Sequence, residues 1–233
     1  MLAVITGATK GIGKAIAEVF ASEGFDLAIC ARNENELVEF STQLQQLNPD
    51  IQILYKAVDC SNRDELLAFV DKVLDRYAKV DVLVNNVGLY VPGSVMDEED
   101  GMLEQMIDTN LYSAYYLSKY FTGGMIEDGQ GHIFNICSTA SIKPVVAAGS
   151  YSISKYALMG LTKVLREELM HQGVKVTAVL PGSTLTASWS GTTIPGSRFV
   201  LPEDVASAVL NAYKMSEGAV VDEILIRPLL GEV

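Results

Sequence analysis

A tyrosine and a lysine stand four residues apart in Tyr151-Ser152-Ile153-Ser154-Lys155, and upstream Ser138 follows the apolar run Ile133-Phe134-Asn135-Ile136. A phenol with a pKa of about 10 exchanges protons poorly near neutrality, and a cation within roughly 4 to 6 Å lowers an anionic group's pKa by about 1 to 3 units. Four residues along a helix is one turn on one face, so Lys155 is spaced to activate Tyr151. Ser138 adds a hydroxyl at the carboxyl end of a strand, where open α/β sheets bind ligands. Together they are the parts of an acid/base site acting on a single oxygen atom. Spacing does not suffice, because Tyr115 and Lys119 repeat it. That second pair lies well inside a long helical pattern, whereas Tyr151 follows a Gly149-Ser150 break and opens a new helix bordering a cleft.

A second constellation sits at the amino end. The strand Leu2-Ala3-Val4-Ile5-Thr6 runs into Gly7-Ala8-Thr9-Lys10-Gly11-Ile12-Gly13 and then a helix. Glycines allow a tight turn and close approach of backbone to a phosphate, and the free amides and dipole of the helix start hold a pyrophosphate. The spacing differs from the GxGxxG of ordinary dinucleotide sites, but the position between first strand and first helix makes the signal specific. At the end of the second strand, Ala31 takes the place where an NAD site usually offers a carboxylate, and Arg32 follows. Arg32 and Lys10 then converge on a 2'-phosphate, which points to NADP(H). Asp59 and Cys60 after the third strand are placed to border the adenine. Asn85, Asn86, Val87 and Gly88 after the fourth are placed to lock the strand and border a ribose. Asn110 falls inside a helix, where asparagine has poor propensity and needs a reason. One reason is a buried functional contact, and the other is a structural hydrogen bond to a neighbouring strand.

These groups need a frame. Strand patterns lie near residues 2 to 6, 26 to 31, 51 to 57, 81 to 86, 131 to 137, 174 to 180 and 222 to 227. Helical patterns lie near 12 to 23, 34 to 47, 63 to 77, 98 to 122, 151 to 171 and 203 to 215. The alternation predicts a single-domain α/β chain over residues 1 to 233, a doubly wound Rossmann-type fold with a mainly parallel seven-stranded sheet. No linker, repeat or membrane-length apolar run interrupts it, and Met1 leads directly into a strand, so neither signal peptide nor membrane anchor is expected. A formal charge of -12 without a Lys/Arg cluster argues against nucleic acid and anionic membrane as partners. Cys30, Cys60 and Cys137 lack metal or CxxC spacing, which favours reduced thiols in the cytoplasm. His132 and His171 read as structural, and no metal is assigned.

TGATKGIG, NNVG, Asn110, Ser138, YSISK and Pro181-Gly182 occur in an order and spacing that resembles the compact branch of the short-chain dehydrogenase/reductase family over essentially the whole chain. The resemblance implies that Asn110, Ser138, Tyr151 and Lys155 form a catalytic tetrad. In that scheme Tyr151 protonates a carbonyl oxygen as the nicotinamide delivers hydride. Lys155 lowers the tyrosine pKa and binds the nicotinamide ribose, Ser138 positions the carbonyl, and Asn110 holds a relay water. Pro181, Gly182, Thr184 and Thr186 match the segment that contacts the carboxamide. Val87 departs from the family's usual alanine and slightly crowds the cofactor pocket.

For substrate, the Ser183 to Leu201 loop offers Trp189 and Phe199, either as a lid or as a packing anchor. The tail around Asp222 and Glu223 resembles bacterial sepiapterin-reductase-like members, in which a carboxylate near the C-terminus anchors the pterin. The expectation is an NADPH-dependent carbonyl reductase acting on sepiapterin-like or other small dicarbonyl compounds, as a homodimer or homotetramer. A 3-oxoacyl or 3-hydroxy acid oxidoreductase is one alternative, and a non-catalytic NADP(H) sensor on the same fold is another.

Overall fold

The computed structural model describes residues 1–233. Seven strands form one sheet: β1 Leu2–Thr6, β2 Asp26–Ala31, β3 Ile53–Ala57, β4 Val82–Asn85, β5 Gly131–Ile136, β6 Val174–Pro181 and β7 Glu223–Ile226. Their order is β3-β2-β1-β4-β5-β6-β7. Every neighbouring pair is parallel, so the sheet is wholly rather than mainly parallel. The order reverses between β1 and β4, and a doubly wound sheet opens its ligand crevice at that point.

Seven α-helices cover the sheet: α1 Gly11–Ser22, α2 Glu34–Leu47, α3 Arg63–Arg76, α4 Met102–Ile107, α5 Ser113–Asp128, α6 Gly149–Leu169 and α7 Pro202–Tyr213. The strands explain the two layers. Successive side chains point to opposite faces, so Ala3, Ile5, Leu27, Ile29, Val82 and Val84 join the core beneath α1, α2 and α7. Their neighbours Leu2, Val4, Ala28, Cys30 and Leu83 join a second core with Phe69 of α3 and Leu117 and Phe121 of α5. Only β7, at the edge, alternates exposed and half-buried residues.

Two helical expectations change in register. The predicted helix over 98 to 122 is α4, a π-helical turn over Asp108–Tyr112, and then α5, which continues to Asp128. The extra residue of a π turn is a local irregularity of the kind found at functional sites, and it contains Asn110. At the other position the helix begins at Gly149, so the Gly149-Ser150 pair forms the first turn of α6 and is no break before it. Close packing accounts for that glycine: a Cβ there would stand 2.4 Å from Val95 Cγ2, and Gly149 N–H donates to the Gly93 carbonyl at 2.8 Å.

His132 lies buried in β5, its Nε2 2.8 Å from Thr177 Oγ1 and its ring stacked on Phe134. Burial, with the Lys175 charge nearby, lowers its pKa to about 3. The ordinary value is 6.5, so on acidification the unfolded chain gains a proton that the folded chain refuses. Stability from this residue is complete above about pH 6.5 and is lost as pH falls toward about 3. By pH 5 the loss is about 2 kcal/mol. Urea unfolding at pH 7 and pH 5 checks this: His132→Phe should show a markedly smaller drop in stability between the two than the native chain.

Candidate active site

The carboxyl ends of β1, β4, β5 and β6 converge on one crevice. At β1, Gly7 and Gly11 take positive φ values of 62° and 55° to turn the chain into α1. Gly13 serves a different need, since a Cβ there would lie 2.4 Å from the Gly7 carbonyl oxygen. Unlike α2 and α3, which Asn33 and Asn62 cap, α1 follows Lys10, which gives it no side-chain cap, and has no acid in its first turn. Its first N–H groups therefore lack a capping acceptor, and a glycine-lined cradle with free donors fits a dinucleotide pyrophosphate. A Cβ on Gly11 would stand 3.0 Å from Thr186 Cγ2, so the loop after β6 closes directly against this cradle.

At β4, Asn86 serves architecture. Its Nδ2 donates to the carbonyls of Thr6 and Gly7 at 2.8 and 3.1 Å, which leaves its amide group engaged with β1. Gly88 borders the site instead, and a Cβ on it would lie 3.3 Å from Lys155 Nζ. Behind it, Asn110 is buried and clasps Leu89 from both sides. Its Oδ1 accepts from Leu89 N at 2.6 Å, while its Nδ2 donates to Leu89 O at 3.0 Å and to Ser154 Oγ at 2.8 Å. The Asn110 side chain thus fixes the loop that leaves β4 and ties it to α6; its partners lie in that loop and that helix rather than in a neighbouring strand.

Ser138 follows β5 and caps a short 3-10 turn, its Oγ accepting from Ala140 N at 3.1 Å. Tyr151 and Lys155 occupy the first turns of α6. Lys155 is buried, donates from Nζ to the Ile136 carbonyl at 2.8 Å, and lies 5.9 Å from the centre of the Tyr151 ring. Burial lowers its pKa to about 8. Tyr151 departs from expectation: burial pushes its pKa up, opposed by the Ser138 hydroxyl, and the Tyr90 ring packs edge-on against it at 4.9 Å. In this state the ammonium serves the Ile136 carbonyl, and the phenol stays protonated. The Tyr115 and Lys119 pair lies exposed on α5, away from these groups.

Other predicted positions divide. Lys10 and Arg32 are both exposed, but Lys10 pairs with Glu36 at 2.7 Å, and Thr9 Oγ1 donates to the same carboxylate at 3.1 Å. Asp59 is exposed, whereas the Cys60 thiol is buried 3.9 Å from Cys30 Sγ, so Cys60 has no side chain to offer a ligand. Ile12 is partly buried among the apolar residues under α1. Pro181 pairs with Ile226, Gly182 follows it, and Thr184 bridges to Val200. Trp189 packs against buried Phe199 with ring centres 4.9 Å apart, the anchor alternative. Asp222 pairs with Arg166 at 3.2 Å, and Glu223 opens the edge strand β7.

A carboxylate that does reach the loop after β6 is Glu232, which accepts from Ser183 N at 2.7 Å and Ser183 Oγ at 2.8 Å. Sequence reading passed over it, and over a buried relay in which Asn85 Nδ2 donates to Asn135 Oδ1 at 2.7 Å and Asn135 Nδ2 to Thr162 Oγ1 at 2.9 Å. Asparagine in the middle of an apolar strand was the available signal for that relay. Glu232 offered none.

The chain belongs to the short-chain dehydrogenase family, whose model matches residues 1–193. An uncharacterised oxidoreductase of Staphylococcus saprophyticus is 32% identical over 98% of this chain and 97% of that protein. An alcohol dehydrogenase from Thermococcus sibiricus, complexed with 5-hydroxy-NADP, superposes with a TM-score of 0.91 at 29% identity, covering 98% of this chain and 96% of that one. An actinorhodin polyketide ketoreductase variant with NADPH gives a TM-score of 0.88 at 32% identity over 97% and 95% of the two chains.

Proposed function

We propose that this protein is an NADPH-dependent carbonyl reductase in which Tyr151 is the proton donor. The observation that carries the reading is the meeting of Ser138, Tyr151 and Lys155 at the sheet's carboxyl edge, across from an uncapped, glycine-lined helix start. The bound cofactor supplies hydride to the carbonyl carbon. The Ser138 hydroxyl holds the carbonyl oxygen within reach of the phenol, and Tyr151 passes its proton to that oxygen as charge develops there. Burial keeps Tyr151 protonated through the neutral range. A reduction needs that form, whereas alcohol oxidation needs the phenolate. Lys155, charged below about pH 8, binds the nicotinamide ribose and returns a proton to Tyr151 with the help of a water held at Asn110.

Gly7, Thr9, Gly11, Ile12 and Gly13 take the pyrophosphate, Lys10 and Arg32 the 2'-phosphate, and Asp59 the adenosine end. Asn86 and Gly88 shape the ribose side, and Pro181, Gly182, Thr184 and Thr186 the carboxamide side. The substrate we favour is a small dicarbonyl compound of the sepiapterin kind, and the half-exposed Tyr90 ring beside Tyr151 supports a planar molecule there. A 3-oxoacyl substrate is the second reading, favoured by the ketoreductase among the similar structures and by a ketoacyl reductase candidate of Streptomyces coelicolor, 35% identical over 94% of this chain and 91% of that protein. A non-catalytic sensor is disfavoured, because it needs no proton donor. We place the protein in the cytoplasm, a reading supported by its three free cysteines. No helix is long and apolar enough to cross a membrane.

Three outcomes test this reading. Tyr151→Phe should cut carbonyl reduction by about a hundredfold or more while leaving NADPH affinity nearly unchanged. Tyr115→Phe should retain activity, and a Tyr151→Phe enzyme with native turnover would sink the assignment. Arg32→Ala should weaken NADPH far more than NADH in fluorescence titrations, so equal losses would refute the phosphate contact. We also propose a homodimer or homotetramer through α5, the turn before it and α6, where Tyr112, Tyr115, Tyr120, Ile153, Tyr156 and Val164 stand exposed. Light scattering at micromolar concentration should report a multiple of 25.2 kDa, and a monomeric mass would contradict it.

A further inference from the structure

Glu36 lies where the sequence showed only cations. It is the third residue of α2, its backbone N–H donates to Asn33 Oδ1 at 3.2 Å, and its carboxylate reaches back to the glycine loop. One oxygen accepts from Lys10 Nζ at 2.7 Å and, more weakly, from Asn33 Nδ2 at 3.4 Å; the other accepts from Thr9 Oγ1 at 3.1 Å. The Lys10 side chain is 63% exposed, so it has water as an alternative and still pairs with Glu36. Arg32, at the end of β2, is exposed and makes no ion pair.

We propose that Glu36 is a specificity-determining residue for the cofactor: its carboxylate occupies Lys10 and Thr9 in the free protein and so sets how strongly a 2'-phosphate is preferred over a 2'-hydroxyl. The inference rests on the reading that Lys10 and Arg32 hold the 2'-phosphate. A phosphate monoester carries about -1.5 to -2 charges at neutral pH, and like charges at close range repel. It therefore displaces Glu36 before it gains Lys10. The gain at Lys10 is the difference between two anions rather than the whole attraction of one. Arg32, already free, carries the remaining pull. A ribose with a free 2'-hydroxyl brings no anion and leaves the Lys10–Glu36 pair in place. Glu36 thus narrows the margin between the phosphorylated and unphosphorylated cofactors.

Glutamine separates charge from fold, because it keeps the size of the side chain and suits the same position in a helix start. Calorimetric titration of the native chain, E36Q and K10M with ADP-ribose and with 2'-phospho-ADP-ribose tests the proposal; the two probes differ only in the 2'-phosphate. E36Q should bind the phosphorylated probe about three- to fivefold more tightly, the scale of one exposed ion pair, with ADP-ribose unchanged within about twofold. K10M should lose much of the preference for the phosphorylated probe. If E36Q binds that probe no more tightly, or gains equally for both, the role of Glu36 is overturned while the Lys10 and Arg32 contact stands. Equal binding of both probes by the native chain would instead remove the phosphate reading, and the inference with it.

Discussion

The site depends on a small hydrogen-bond lattice that ties the ends of β1 and β4 together. The backbone N–H groups of Asn86 and Val87 both donate to Thr6 Oγ1 at 3.0 Å, while Asn86 Nδ2 bridges the Thr6 and Gly7 carbonyls. These strands are the pair at which the sheet changes direction, so the lattice fixes the crevice where it opens. One side leads to the glycine loop and the bare start of α1. The other leads through Gly88 and Leu89 to Lys155 and Asn110. On the proposed reading, phosphate cradle and proton donor are therefore held in one frame, as a reaction between two bound molecules requires.

Charge is placed with similar economy in a chain of net charge -12. Lys155 is buried against the Ile136 carbonyl, and burial brings its pKa down to about 8. Tyr151 shifts the opposite way, for the same reason: the charged form of each is disfavoured when water is removed. The outcome is a phenol loaded with its proton beside an ammonium that can lose one, the order a proton relay toward a substrate oxygen needs. At the other end of the crevice the cations are exposed, and a carboxylate, Glu36, moderates one of them.

Much of this was legible before any coordinates. Strand and helix periods gave the doubly wound sheet, because apolar runs buried on both faces leave few other folds for β1 through β5. The convergence of Ser138, Tyr151 and Lys155 at one end of the sheet was readable from their types and spacing. What escaped depends on contacts between distant segments. Gly149 looked like a break and is a close-packing residue against Val95, and the Cys60 thiol packs against Cys30 Sγ. The shift of Tyr151 could not follow from spacing, since burial decides it against the opposing Ser138 hydroxyl. Glu232 reaches Ser183 across 49 positions, and no local pattern announces such a contact.

The central claim is that this crevice transfers hydride to a carbonyl carbon with a proton from the protein. The most direct measurement is isotopic: incubate the enzyme with a panel of diketones, 3-oxo esters and sepiapterin, together with NADPH deuterated at the nicotinamide C4 transferring position, and analyse the products by mass spectrometry and NMR. The account predicts an alcohol with one deuterium on the carbinol carbon, and none at that carbon when unlabelled NADPH is used in D2O. Tight NADPH binding with no labelled alcohol from any member of the panel, or label entering the carbinol carbon from solvent, would contradict it.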